Sequence, residues 1–347
     1  MLPARAMVES PHDKLFKEAL GNLENAAALL RAVLPASLLS GIDLTSLALV
    51  PGTFLHGKLA RSASDLLFST KFNKRRVLIY LLFEHKSHPD RWVPFQLLRY
   101  CVRIWERCLD TSPRIKHLPP VLPILVHHSK SGFRGSTAFL DILEPLVSQT
   151  PELLRLTPKF EFLVDDFSHR SDTELFVRSL NTFGLLAMFA LRDGRDPERL
   201  RRGLTRWGKL FTALLQHPDG ERALELIFRY LLQVSGLGLT TIQRAIRSAP
   251  PQVGHAVMTV AEQLRKEGRK QGVQVGRKQG LQVGRKQGVQ VGILRGQRKL
   301  LAKLLRAKFG PLDAATVEAL KHADEPALAR YAKRVLTAPS LNAVFDE

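Results

Sequence analysis

The sequence predicts an α/β fold: a central sheet covered by helices, then a helical appendage. Three observations predict it. Short apolar runs bounded by charge, at Leu66–Phe68, Val77–Phe83 and Leu118–Val126, have strand length rather than helix length. Before and after them, apolar residues recur at three- and four-residue spacing, as on amphipathic helices. Past Ser248-Ala249-Pro250-Pro251 the chain turns into a basic repeat punctuated by glycine.

Taken in order, His12 to Arg31 reads as one amphipathic helix, with Leu15, Phe16, Ala19, Leu20, Leu23, Ala26, Ala27 and Leu30 on its apolar stripe and Pro11 at its start. Residues 52–60 form a first strand leading to Asp65. A hairpin through the basic turn Lys71–Arg76 joins Leu66–Phe68 to Val77–Phe83. The second run is apolar throughout, so its strand is buried on both faces, and it stops at Glu84-His85-Lys86. Asp90-Arg91-Trp92 starts a helix over Val93–Leu109, on which Gln96 and Tyr100 share a face at i, i+4. The strand Leu118–Val126 contains Pro123 and is followed by His127 and His128. Adjacent histidines on a strand face opposite ways and do not chelate one ion together. Phe160–Val164 adds a strand. From Thr173 to Ser248 the pattern is helical, with Phe176, Leu180, Phe183, Ala187 and Leu191 at helical spacing, and reads as a layer covering the sheet.

The 347 residues divide into a first domain over 1–250, a basic glycine-repeat segment over 251–298 and a small helical domain over 299–347. The chain is 45% hydrophobic, enough for a core, yet no window reaches membrane-span length, so no membrane association is expected. The start, MLPARAMVESPHDK, has no apolar h-region. The two cysteines, Cys101 and Cys108, do not make a disulfide framework. A reduced cytoplasm is the expected location. The net charge of +20 points to a polyanionic partner, nucleic acid first. Between Arg265 and Lys308, fourteen Lys or Arg stand against one Glu, a local charge of +13.

That segment repeats RKQGVQVG, RKQGLQVG, RKQGVQVG from Arg269 to Gly292, with Gly at every fourth position from Gly268 to Gly296. Each Gly costs a helix about 1 kcal/mol against Ala, so an isolated helix here is weak. Two readings follow. Either the segment pairs with the same segment of a second copy through its small-residue row, or it is a flexible basic linker. In both, Arg269, Lys270, Arg277, Lys278, Arg285 and Lys286 are the cations that meet DNA phosphates. Gln297–Phe309, stopped by Gly310-Pro311, begins a helical tail that continues over Asp313–Leu320 and Glu325–Thr337.

Asp65, Glu84 and Lys86 are the candidate catalytic set. Glu84 and Lys86 leave one face of a strand about 7 Å apart, and the hairpin brings Asp65 toward the same end. Two carboxylates suit Mg²⁺, or Mn²⁺ or Ca²⁺, as hard oxygen ligands. A lysine beside them orients water and offsets transition-state charge. The pattern therefore points to metal-assisted phosphodiester hydrolysis, with no small-molecule cofactor.

The spacing of Asp65, Glu84 and Lys86 resembles the PD-(D/E)xK nuclease superfamily. Gln96-Leu97-Leu98-Arg99-Tyr100 resembles the Q-x-x-x-Y helix motif of its RecB-like branch. Pro11-His12-Asp13-Lys14-Leu15-Phe16-Lys17 and Phe162-Leu163-Val164-Asp165-Asp166-Phe167-Ser168 resemble segments of the Rpn family of recombination-promoting nucleases, also labelled YhgA-like transposases. The resemblance covers roughly the first 240 residues. It implies a restriction-endonuclease-like core and a metal-dependent DNA endonuclease linked to recombination or mobile elements. Asp65 and Glu84 would ligate the metal with the backbone carbonyl of His85, Lys86 would position the attacking water, and Gln96 would lie near a phosphate or that water. An acid of the first helix, Asp13 or Glu18, reaches the metal in such enzymes, and Tyr100 accompanies Gln96. Glycine-every-four tails recur in Rpn-like proteins, which favours a helical oligomerisation stalk. The segment Leu300–Phe345 resembles a small helical domain appended to such nucleases. One departure stands out: where the family carries a Tyr/Asn/His-Gly turn, this chain has His127-His128-Ser129-Lys130-Ser131-Gly132. The alternative is a catalytically inactive nucleic-acid-binding accessory protein that keeps the fold.

Overall fold

Polar residues at the chain's first turns decide where its helices begin. Ser10 and Asp13 form a capping box that starts α1 (Pro11–Leu20), and Asn22 accepts the Glu24 and Asn25 amides to start α2 (Leu23–Val33). The single helix expected over His12–Arg31 is thus two, broken at Gly21-Asn22 because a capping side chain satisfies the second helix's amides. This computed structural model describes residues 10–51, 66–84 and 90–345, and only the backbone of 80–84. The strand expected over 52–60 lies outside the described residues.

After the short α3 (Ala36–Leu39), five strands form one sheet in sequence order: β1 (Ile42–Leu49), β2 (Leu66–Phe72), β3 (Arg75–Glu84), β4 (Val121–His127) and β5 (Leu163–Asp166). β1 was not legible as a strand, since only Ile42 and Leu47 of its residues are buried. β1, β2 and β3 pair antiparallel, then β4 and β5 add parallel. The β2–β3 hairpin turns on Asn73 (φ 46°) and Lys74 (φ 68°), a pair of left-handed residues that matches the strand twist. β4 starts at Val121, three residues later than expected. Pro123 is tolerated because β5 pairs only from Ile124 onward.

The parallel step from β3 to β4 crosses through α4 (Val93–Thr111), whose Leu97, Tyr100, Ile104 and Cys108 pack on Leu67, Leu78 and Leu125 of one sheet face. The other face, with Phe68, Ile79, Ile124 and Val126, packs on the larger core. Val77, Leu78 and Ile79 are all buried, as expected of a strand covered on both sides. Burial pushes the Cys101 thiol up to about 11 and raises that of Cys108.

Between β4 and β5 come α5 (Pro145–Gln149) and α6 (Pro151–Leu156); after β5 come α7 (Asp172–Phe176), α8 (Thr182–Asp193), α9 (Pro197–Arg206), α10 (Gly208–Leu215), α11 (Gly220–Val234) and α12 (Leu239–Ala245). The helical spacing read through Phe176 and Leu180 is interrupted at Ser179 (φ 56°), and Asn181 caps α8 afresh. Buried Asn25 joins this cap: its Nδ2 donates to Ala19 O and Asn181 Oδ1, and its Oδ1 accepts the Asn181 amide at 2.9 Å.

The chain forms two compact units, 1–264 and 265–347. The helix α13 (Pro251–Phe309) contributes to both: Val253, Ala256 and Val257 belong to the core of the first. In the second, Gly268 to Gly296 lie on exposed helix, and Leu301 and Leu305 pack with α14 (Ala314–His322), α15 (Glu325–Thr337) and α16 (Asn342–Phe345). Gly310 (φ 84°) ends α13 where a side chain would be strained. No helix among the described residues is long and apolar enough to cross a membrane.

Candidate active site

Parallel strands share an edge at which all of them end, and ligands of such sheets bind outside those ends. Here the register sets Glu84, His127 and Asp166 in one row: Glu84 pairs with His127, and His127 with Asp166. Glu84 closes β3 at this edge. Asp65, His85 and Lys86 lie outside the described residues, as does the side chain of Glu84. Leu66, which follows Asp65, pairs with Leu81 on β3.

The other candidates have definite places. Gln96 is half-buried, and its Nε2 donates to Asp90 Oδ2 at 2.9 Å, so a local acid holds it at the start of α4. Tyr100 is buried in the core under α4. Asp13 is engaged in the capping box, and Glu18 is 3.8 Å from Arg222. Arg269, Lys270, Arg277, Lys278, Arg285 and Lys286 are exposed on α13 in the second unit.

Sequence reasoning left the role of Asp166 open. Burial acts to raise its pKa, but the Ser168 hydroxyl and the Phe133 and Ser168 amides donate to it and hold it below the ordinary value, with His127 adding to the effect. Asp166 thereby ties the loop after β4 to the end of β5. Its neighbour Asp165 points away into a buried bidentate pair with Arg178, both contacts 2.7 Å. The two histidines separate as strand geometry requires. His127 faces Phe133 and contacts Ser129 Oγ, whereas His128 stacks on Phe167.

Sequence reasoning also missed a cleft of about 560 Å³ beside His128, lined by Ser129, Lys130, Ser168, Arg192 and Arg195 among others. Its signal in the sequence is the basic run Arg195–Arg206, a run that can touch DNA but is by default a solvated face. Next to it, Arg192 is buried between Asp172 and Asp193, both at 2.6 Å. Among the described residues, no group of three His, Cys, Asp or Glu is arranged to hold a metal ion.

A family model described as putative transposase, YhgA-like, matches residues 10–219. The chain belongs to that family. The YhgA-like match spans every strand of the sheet and stops before α13. The chain is 27% identical to the recombination-promoting nuclease RpnA of Escherichia coli K12 over 263 residues, which is 75% of this chain and 85% of that protein. It is 28% identical to the inactive recombination-promoting nuclease-like protein RpnE of the same strain over 267 residues, 76% of this chain and 85% of that one. Over 133 residues it is 35% identical to the recombination-promoting nuclease RpnD of Escherichia coli O157:H7, covering 38% and 51% of the two chains. No solved structure matches the chain.

Proposed function

We propose that this protein is a metal-dependent DNA endonuclease with a PD-(D/E)xK core, acting in recombination or mobile-element biology in the cytoplasm. The observation that carries the reading is the strand end: Glu84 closes β3 between antiparallel β2 and parallel β4, at the edge where ligands of such sheets bind. The sequence keeps Asp65 one residue before β2 and Lys86 two residues after Glu84. The nuclease names of RpnA and RpnD support the same reaction class.

The donor set suits Mg²⁺. Asp65, Glu84 and the carbonyl of His85 are oxygen ligands, and no thiolate competes. When bound, the ion supplies charge neutralisation at the phosphate and an acidified water. Lys86 orients the attacking water and offsets charge building on the phosphoryl oxygens. Gln96, anchored by Asp90, stands ready at the head of α4 to steady the water or a phosphate. The exposed cations of the glycine repeat add sequence-independent DNA affinity. Their helix is the stalk through which copies of the chain self-associate.

The second reading, an inactive DNA-binding accessory, is favoured by the name of RpnE, to which the chain is as similar as to RpnA. Nicking of supercoiled plasmid in Mg²⁺, Mn²⁺ or Ca²⁺ separates the two. Metal-dependent nicking that chelator abolishes supports the enzyme. Binding without nicking in any of the three ions supports the accessory.

A further inference from the structure

The motif Pro11–Lys17 carries two polar residues in its first turn, and the structure gives them different work. Asp13 caps the helix. His12 points inward, 5% exposed, against Tyr230 of α11, which is 2% exposed. His12 Nε2 lies 2.8 Å from Arg195 Nη2, and His12 Nδ1 lies 3.0 Å from the Tyr230 hydroxyl. A guanidinium can only donate, so Nε2 accepts. The imidazole is therefore neutral, with its proton on Nδ1, where it donates to the Tyr230 oxygen. Burial raises the Tyr230 pKa and keeps the phenol protonated, although the charge of Arg195 acts against it. Two buried rings thus hold one arginine from behind by a neutral acceptor.

The charges around that arginine are unequal. Arg192 is neutralised by Asp172 and Asp193, Arg199 pairs with Asp193, and Arg206 pairs with Asp172. Asp196 lines the same cleft, but one of its oxygens is taken by the Glu198 and Arg199 amides. Arg195 and Lys130 line the cleft too, and among the described residues neither has a carboxylate at ion-pair distance. Arg195 and Lys130 share this concave wall with the Ser129 and Ser168 hydroxyls, and the Asp196 carboxylate lining it forms no ion pair with either cation. The cleft opens next to His128, which follows His127, the register partner of Glu84. The wall therefore lies at the same end of the sheet as Glu84, the end at which the DNA of the proposed nuclease would run.

We propose that Arg195 and Lys130 form a phosphate-binding subsite for the nucleic-acid backbone beside the reacting phosphodiester, and that His12 is the positioning residue that aims Arg195 into it. The inference rests on the strand-end nuclease reading only for the word "reacting"; the subsite itself is a claim about binding. Arg195 is suited to the task, because a guanidinium fork meets phosphate oxygens two at a time.

The test uses the full chain, a short fluorescein-labelled DNA duplex read by anisotropy in chelator, and steady-state cleavage in Mg²⁺. Arg195→Ala should weaken duplex binding by about tenfold and reduce the salt slope by about one. In cleavage it should raise KM more than it lowers kcat. His12→Leu should reproduce most of the binding loss, while His12→Gln, whose side-chain oxygen can accept near the Nε2 position, should restore it. At matched ionic strength and equal phosphate concentration, inorganic phosphate should not displace the duplex, whereas unlabelled duplex should. Unchanged affinity and salt slope in Arg195→Ala overturn the subsite, as does displacement by inorganic phosphate at the same phosphate concentration. Equal loss in His12→Leu and His12→Gln, in proteins with wild-type circular dichroism, overturns the positioning role. If the wild type binds duplex and loses it on Arg195→Ala but never cuts, the subsite stands and the nuclease reading falls.

Discussion

Glu84 and His127 are register partners where parallel strands β3 and β4 end, and Asp166 continues the row on β5. The row brings a candidate ligand, a histidine and a hydrogen-bonded carboxylate to one edge of the sheet. The loop that follows β4 depends on the last of these.

Asp166 should make the first unit acid-sensitive. Its folded-state pKa lies below the ordinary 3.8, so the stabilisation it gives is complete above that value and is lost as pH falls through the folded one. Asp166→Asn should flatten the fall of the urea midpoint as pH drops below 3.8 through the lowered folded-state value, and cost about 1–3 kcal/mol at neutral pH through weakened bonds to Phe133 and Ser168. An unaltered acid profile in the variant would remove Asp166 from the account.

The pair Asp165–Arg178 is buried on both sides, with side chains 1% and 7% exposed. Removing one partner strands the other charge. Arg178→Met should therefore destabilise the first unit by about 3–5 kcal/mol, read as a lower urea midpoint. A double variant, Asp165→Leu with Arg178→Met, should recover part of that loss. A single-variant cost under about 1 kcal/mol would show that the pair is relaxed by water.

Much of this was legible in the sequence. Val77–Phe83 read as a strand buried on both faces because seven apolar residues stand between charges, and the structure buries Val77, Leu78 and Ile79. The last two tail helices and the stop at Gly310-Pro311 were legible because the signals are local, whereas the start expected at Gln297 lies inside α13, which runs unbroken from Pro251. What failed depends on distant partners or, at one break, on a local cap that a continuous apolar stripe conceals. β1 carries two buried residues in eight, too few for a periodic signal, and exists because β2 supplies its hydrogen bonds. The break at Gly21-Asn22 was hidden because the apolar stripe continues across it. The cleft was hidden because a basic run looks alike whether its arginines are solvated or paired; only the fold shows that Asp172 and Asp193 neutralise some and leave Arg195 facing a neutral ring.

The glycine row makes a prediction of opposite sign for stability and for assembly. A Cβ added at Gly276 or Gly284 meets nothing within 4 Å, so Ala at each position should strengthen the helix by up to about 1 kcal/mol. If the row is where two stalks approach, the added methyls hold them apart. The double alanine variant should then show more helix by circular dichroism at low concentration and a smaller mass per particle by light scattering. An unchanged mass would contradict self-association through this row and leave the repeat as a basic helical spacer.

The most direct test of the whole account is cleavage of supercoiled plasmid by the wild type beside Asp65→Ala, Glu84→Ala and Lys86→Ala, with duplex affinity measured on the same preparations. The account predicts that each substitution abolishes Mg²⁺-dependent cleavage while DNA affinity is kept or, for the two carboxylates, increases as repulsion from phosphate is removed. Full cleavage by all three variants would contradict it.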